Sequence, residues 1–122
     1  MKHSPGFLKL IDEAKHRVRE ISIEVTRTKL LSGFGGHLFD IREDNEWEAG
    51  HIADAEHLGK GIIERDIESV VPDKHEEIIL YCGGGYRSIL AADALQKMGY
   101  DNVHSMSGGW RGWVGAGLPT SR

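Results

Sequence analysis

The chain has 122 residues, of which 39% are apolar and 28% charged, and its formal net charge is −4 at pH 7. This length predicts one domain, and the composition excludes a disordered tail. The excess of acidic residues argues against a nucleic-acid partner, because proteins that bind nucleic acids are usually basic. No apolar run approaches the about 18 residues of a membrane-spanning helix, and residues 1–20 are charged throughout, so we expect neither a membrane partner nor a signal peptide.

The N-terminal quarter predicts a helix followed by a short strand. Apolar residues at helical spacing predict an amphipathic helix over residues 6–19, beginning just after Pro5. We assign residues 1–20 to an N-terminal helical extension, which either packs on the domain behind it or binds a partner, and residues 21–122 to the main domain. Alternating apolar and polar residues predict a strand over 21–25, with Thr26 as the N-cap of a helix ending near Ser32.

The rest of the chain alternates strand and helix patterns. Strands are predicted at 37–42, 55–58, 77–81 and 103–106, and helical segments at 43–48, 61–71, 87–98 and 109–114. The apolar run at 78–80 predicts a strand that is buried on both faces, as in a parallel sheet. The sequence therefore predicts an α/β domain with a mainly parallel sheet.

Cys82 opens a glycine-rich loop, residues 82–87, between the most strand-like and the most helix-like segments. Sites in open α/β sheets lie at the carboxyl ends of strands. Consecutive glycines let backbone N–H groups turn inward to bind an anion, and the following helix adds the positive end of its dipole. These groups favour the thiolate, the nucleophilic form of cysteine. We therefore predict a thiolate beside an anion-binding bowl, the alternative being a buried cysteine that merely ends a strand.

Cys82 is the only cysteine, so no intrachain disulfide can form, and we expect a reducing compartment, the cytoplasm. Arg87 follows it with four residues between. Cysteine phosphatases have five intervening residues, which would place the arginine at position 88, where this chain has Ser88. A shorter loop forms a smaller bowl, which suits a terminal sulfur atom better than a phosphate. Ser88 either caps the following helix, the simpler interpretation, or hydrogen-bonds the sulfur, and Tyr86 either walls the pocket or covers the core.

Three motifs, in this order along the chain, resemble the rhodanese family. The first combines an Asp-x-Arg strand end, a Glu–aromatic pair and Gly-His-Ile before an alanine: Asp40, Arg42, Glu46, Trp47, Gly50, His51, Ile52 and Ala55. The second is the cysteine loop. The third is the closing segment with Gly108, Gly109, Trp113, Gly117 and Pro119. Together they cover about residues 21–119.

The resemblance implies a rhodanese-like fold, a five-stranded, mainly parallel sheet with helices on both faces. It implies a sulfurtransferase that acts through a persulfide on Cys82, with thiosulfate, a persulfide or a polysulfide as donor and cyanide, a small thiol or a protein thiol as acceptor. The substrate-binding residues would be Gly83, Gly84, Gly85, Tyr86 and Arg87, and the supporting residues Asp40, Arg42 and Ser88.

Thiosulfate-using members often carry further basic residues in the loop, whereas this loop has only Arg87. No metal or organic cofactor is expected, because His51 and His57 lack the ligand pattern of a zinc site. Two alternatives remain: a non-catalytic interaction module on the same fold, and a cysteine phosphatase or arsenate reductase.

Overall fold

The computed structural model describes residues 3–122, so Met1 and Lys2 of the predicted extension lie outside the described residues. The strands are β1 (Arg19–Ile21), β2 (His37–Asp40), β3 (His51–Ile52), β4 (Glu56–His57), β5 (Ile78–Tyr81), β6 (Val103–Met106) and β7 (Thr120–Ser121). The helices are α1 (Pro5–Lys15), α2 (Ile23–Leu31), α3 (Asp44–Ala49), α4 (Ile63–Val70), α5 (Arg87–Lys97) and α6 (Gly109–Gly115). None of these helices has the length and apolar character needed to cross a membrane.

Five strands form the central sheet in the order β1-β6-β5-β2-β4, and every neighbouring pair is parallel. The predicted five-stranded α/β fold is therefore confirmed. The two-residue strands β3 and β7, which the sequence pattern does not predict, pair antiparallel outside this sheet. Parallel strands end at the same edge of a sheet, so the segments that follow β5 and β6 lie beside each other.

The central strand β5 separates two apolar clusters. Ile78 and Leu80 pack with buried residues of α1, α4 and α5, whereas Ile79 and Tyr81 pack on the other side with Trp113 of α6. All four residues of β5 are buried, as the apolar run predicts. The sheet is thus covered on both faces, which holds the end of β5 in a fixed position.

The N-terminal predictions need correction. The first helix ends at Lys15 rather than residue 19, and the predicted strand at 21–25 is wrong, because β1 ends at Ile21 and α2 begins at Ile23. The predicted N-cap Thr26 is also wrong, because it lies inside α2 and its hydroxyl donates to the Ser22 carbonyl at 2.9 Å. Ser22 is the N-cap of α2, since its side chain accepts a hydrogen bond from the Val25 N–H at 3.0 Å. A five-residue alternation is too short to distinguish a strand from a strand end followed by a helical turn. The other predicted elements appear within two residues of their predicted bounds.

Helix α1 is packed on α5. Its side chains Ile11 and Ala14 are buried in the cluster that also contains residues of α5. Just beyond α1, the Arg17 guanidinium donates two hydrogen bonds to the Asp93 carboxylate, at 2.8 and 2.9 Å. Gln96 donates to the Arg17 carbonyl at 2.8 Å. These contacts place the start of α1 near the N-terminal end of α5.

Candidate functional site

Cys82 directly follows β5 at the carboxyl edge of the sheet, and its side chain is buried. The loop after it turns within four residues into α5, which begins at Arg87. Cys82 lies in a pocket of about 660 Å³. The other residues that line this pocket are His3, Phe7, Glu46, Gly84, Tyr86, Arg87 and Arg111. Of the two interpretations of Tyr86, the structure places its ring on the pocket wall.

Within residues 3–122, two polar groups lie within hydrogen-bonding distance of the Cys82 sulfur. The Gly85 N–H donates to Sγ at 3.1 Å, and the Ser88 hydroxyl oxygen lies 3.5 Å from Sγ. Ser88 is also hydrogen-bonded to Ser105 of β6, with 2.7 Å between the two oxygens. The simpler interpretation of Ser88 as a helix cap is wrong, because Tyr86 is the N-cap of α5 and no side chain caps it. Ser88 instead lies beneath the sulfur.

The arc of the loop depends on Gly85. Its φ of +100° lies in the region that side chains avoid, and a Cβ there would lie 3.3 Å from the Gly108 nitrogen. Gly83 and Gly84 have no positive φ. The backbone reversal at Gly85 thus turns its N–H toward the sulfur. Of the three consecutive glycines, only Gly85 adopts a conformation that other residues avoid.

Arg87 is held by Glu46 at the pocket wall. Its Nη1 and Nη2 atoms donate to the two Glu46 carboxylate oxygens at 3.0 and 3.2 Å. The backbone N–H of Glu43 donates to the same carboxylate at 3.0 Å. The hydrogen bonds from Arg87 hold the pKa of Glu46 below its usual value, and Glu46 in turn raises the pKa of Arg87. The arginine is therefore charged and fixed in position.

Asp40 and Arg42 form a buried ion pair that lies outside the pocket lining. Asp40 accepts from the Arg42 backbone N–H at 2.9 Å and from its Nη2 at 2.7 Å. Arg42 also donates to the Gly50 carbonyl at 2.6 Å and lies 4.7 Å from the Trp110 ring centroid. Burial opposes the charge on Arg42, but the hydrogen bonds to Asp40 raise its pKa overall. The pair is placed to brace the segment around Trp110.

The first residues of helix α6 pack against the cysteine loop. The Trp110 N–H donates to the Cys82 carbonyl at 2.7 Å, and the Arg111 N–H donates to the Gly83 carbonyl at 3.1 Å. Gly109 approaches the loop so closely that a Cβ there would overlap the Cys82 carbonyl oxygen. These contacts hold the start of α6 against the loop.

Arg111 adds a second cation to the pocket. Its guanidinium extends over Gly83 and Gly84, and within residues 3–122 it makes no ion pair with an acid. The loop itself contains one basic residue, but the site contains two. Sequence reasoning missed Arg111 because its distance from Cys82 is set by the pairing of β5 with β6. It missed Ser105 for the same reason.

Comparisons with known proteins agree with this geometry. The sequence model described as Rhodanese-like domain matches residues 26–116. Thiosulfate sulfurtransferase GlpE of Actinobacillus pleuropneumoniae serotype 7 is 35% identical over 91 residues, which cover 75% of this chain and 82% of that protein. The Bacillus subtilis protein YrkF is 32% identical over 98 residues, or 80% of this chain, but the match spans only 52% of its own length.

A solved structure from Rhodopseudomonas palustris superposes with a TM-score of 0.89 at 27% identity, covering 99% of this chain and 98% of that one. It is described as a protein of unknown function and possible tyrosine phosphatase. Its coverage includes the region of α1, which precedes the family match.

Proposed function

The chain belongs to the rhodanese-like domain family, and we propose that it is a sulfurtransferase that carries sulfane sulfur as a persulfide on Cys82. The observation that carries this proposal is the position of Sγ. It lies in the pocket with the Gly85 N–H 3.1 Å away and with the Arg87 and Arg111 guanidinium groups in the same pocket. The sulfurtransferase name of the Actinobacillus relative supports the same reaction class.

In the first step, the Cys82 thiolate attacks the terminal sulfur of an anionic donor. With thiosulfate, the donor's S–S bond breaks, sulfite leaves with the electron pair, and the cysteine keeps the terminal sulfur as a persulfide. The two arginines attract the anionic donor and stabilise the leaving charge. The Gly85 N–H and the Ser88 hydroxyl are placed to hydrogen-bond the sulfur of the thiolate.

In the second step, an acceptor attacks the outer sulfur and the Cys82 thiolate leaves. Cyanide would depart as thiocyanate, whereas a thiolate acceptor would become a persulfide. Because Cys82 is the only cysteine of the chain, the accepting thiol must come from another molecule. Neither step needs an oxidant, a metal or an organic cofactor, since the sulfane sulfur moves between nucleophiles.

Intact-mass measurement tests the proposal. After exposure to thiosulfate or polysulfide, the protein should gain about 32 Da, one sulfur atom, and lose it again with cyanide. Cys82→Ser should gain nothing and should produce no thiocyanate. Thiocyanate production by the serine variant would disprove the mechanism, and a wild-type protein that takes up no sulfur would favour a non-catalytic interaction module.

Phosphatase activity is the second candidate, because the Rhodopseudomonas structure, described as a possible tyrosine phosphatase, matches over nearly all of both chains. The six-residue loop from Cys82 to Arg87 argues against it, since its backbone arc around the sulfur is one residue shorter than that of cysteine phosphatases. Hydrolysis of p-nitrophenyl phosphate by the wild type, absent in Cys82→Ser, would favour this function. We expect no such hydrolysis above background. A variant with one glycine inserted after Gly85 has the five residues between cysteine and arginine that cysteine phosphatases have, and its hydrolysis rate is compared with that of the wild type.

A further inference from the structure

Three aromatic side chains form one wall of the pocket that contains Cys82: His3, Phe7 and Tyr86. The ring centroid of His3 lies 4.8 Å from that of Tyr86 and 5.3 Å from that of Phe7, and the Phe7 and Tyr86 centroids are 6.3 Å apart. These are the separations of interacting aromatic pairs. The first two residues of this aromatic wall precede residues 26–116, the region of the family match. They therefore lie outside the part of the chain that the family model matches.

The aromatic wall is a fixed part of the site because α1 is docked along its length. Phe7 packs against the same cluster that buries Ile11 and Ala14. The Arg17–Asp93 hydrogen bonds hold the far end of the helix segment to α5. Tyr86, the N-cap of α5, provides the third ring and remains 36% exposed toward the pocket and solvent. An apolar surface is thus kept beside the nucleophile.

The pocket is larger than an inorganic donor needs. Its volume is about 660 Å³, within the usual range of small-molecule sites. Thiosulfate would fill only on the order of 150 Å³, if each of its non-hydrogen atoms takes about the 30 Å³ of a water molecule. The pocket is lined by Arg111, by Arg87 with its paired carboxylate Glu46, and by the aromatic wall. Such a combination of charged groups and apolar surface fits a molecule with an anionic end and an apolar body.

Building on the proposed function, we propose that α1 makes the site selective for organic sulfane-sulfur anions whose organic group is flat and apolar. The anionic group would bind beside Arg111 and Arg87, and the flat group would pack on Phe7 and Tyr86. For an aromatic thiosulfonate, the Cys82 thiolate attacks the sulfane sulfur and the bond from that sulfur to the sulfonyl sulfur breaks. The sulfinate leaves with the electron pair, so charge and atoms balance without a proton or an oxidant.

Two probes with the same reacting group test the inference: benzenethiosulfonate and methanethiosulfonate. The readout is kcat/KM for thiocyanate production with cyanide, expressed as the value for benzenethiosulfonate divided by the value for methanethiosulfonate. This ratio is then divided by the same ratio for the reaction of the two probes with a free small thiol, which corrects for their intrinsic reactivity. In the wild type we expect this corrected ratio to be about tenfold or more, the factor that corresponds to 1.4 kcal/mol of differential binding. Phe7→Ala should reduce it about tenfold.

Leu10→Ala is the matched control, because Leu10 lies on the same helix but its side chain is 54% exposed and outside the pocket. It should keep the wild-type ratio. His3→Ala is the second variant, since His3 precedes α1 and its ring contacts the other two rings of the aromatic wall. It should lower the ratio in the same direction, and thermal unfolding of every variant confirms that it folds.

The two proposals fail differently. If both probes load sulfur on Cys82 but the corrected ratio is near one, or if Phe7→Ala and His3→Ala leave it unchanged, the aromatic selectivity is wrong while the sulfurtransferase proposal stands. If no donor, including thiosulfate and polysulfide, loads Cys82, the proposed function itself fails.

Discussion

The guanidinium of Arg111 occupies the space that a side chain at Gly84 would fill, so that a Cβ at position 84 would overlap its Nη2 atom. The two residues are far apart in sequence but are joined through the backbone, because the Arg111 N–H donates to the carbonyl of Gly83 at 3.1 Å. The absence of a side chain in the loop therefore lets a cation from α6 lie across it.

Removing Arg111 should weaken the use of anionic donors. Arg111→Ala should lower kcat/KM with thiosulfate about tenfold, the effect of one charge-assisted hydrogen bond worth about 1.5 kcal/mol. The wild-type rate should fall as ionic strength rises, and this dependence should be weaker in the variant. Arg65→Ala removes the same charge from the exposed surface of α4 and should change neither quantity. If the rate of Arg111→Ala depends on ionic strength as strongly as that of the wild type, Arg111 has no role in donor binding.

A methyl group at position 84 should act through Arg111. Gly84 has no positive φ, and the atom it would meet is the end of a flexible side chain. Gly84→Ala should therefore fold normally but displace the guanidinium and lower kcat/KM with thiosulfate several-fold. In an Arg111→Ala background the same change should have little further effect, a coupling that a double-mutant cycle measures. Gly61→Ala, where a Cβ meets no atom within 4 Å, is the control for the substitution itself.

Gly85→Ala should affect both stability and the sulfur. Its φ of +100° makes a side chain cost about 1–2 kcal/mol of folding free energy, measurable by urea unfolding. The strain should also move the N–H that donates to Sγ, so alkylation of Cys82 by iodoacetamide at pH 7 should be slower. Gly117→Ala supplies the comparison, because Gly117 has φ +71° with no atom within 4 Å. Gly117→Ala should lose stability but keep the wild-type alkylation rate. If Gly85→Ala also keeps that rate, Gly85 does not affect the reactivity of Cys82.

Acid should weaken the Glu46–Arg87 pair. Because the hydrogen bonds from Arg87 lower the pKa of Glu46 in the folded state from its usual value of about 4.5, the pair contributes its full stability above about pH 4.5. This contribution is lost as pH falls through the lowered pKa, where the carboxylate takes up a proton. The free energy of unfolding of Glu46→Gln should therefore depend less on pH below 4.5 than that of the wild type. Glu48→Gln, on an exposed position of α3, should reproduce the wild-type curve.

The sequence predicts those parts of the molecule whose signals are local. The apolar run at 78–80, the glycines after Cys82 and the helical spacing of α5 lie within one continuous stretch, and the structure forms strand, loop and helix there. The three motifs that resemble rhodaneses lie within residues 26–116, the region of the family match, except for Gly117 and Pro119 at the end of the third.

The remaining site residues depend on tertiary contacts. Ser105 reaches Ser88 because β6 pairs with β5, and Arg111 reaches the loop because α6 starts where β6 ends. Phe7 lines the pocket because α1 docks on α5. No spacing within the sequence encodes these distances. The strand predicted at 21–25 was wrong for a different reason, since Ser22 ends the strand by capping a helix and the local alternation continues across that boundary.

The two hydroxyl groups beneath Cys82 can serve the sulfur in either of its proton states. Each serine hydroxyl has one proton to give and two lone pairs to receive, and the Ser105, Ser88 and Sγ atoms form a chain with 2.7 and 3.5 Å between neighbours. When the sulfur is an anion, Ser105 donates to Ser88 and Ser88 donates to the sulfur. When the sulfur carries a proton, both bonds reverse direction by rotation of the hydroxyl groups alone. The charge on the sulfur can thus change within a buried environment without displacement of any heavy atom.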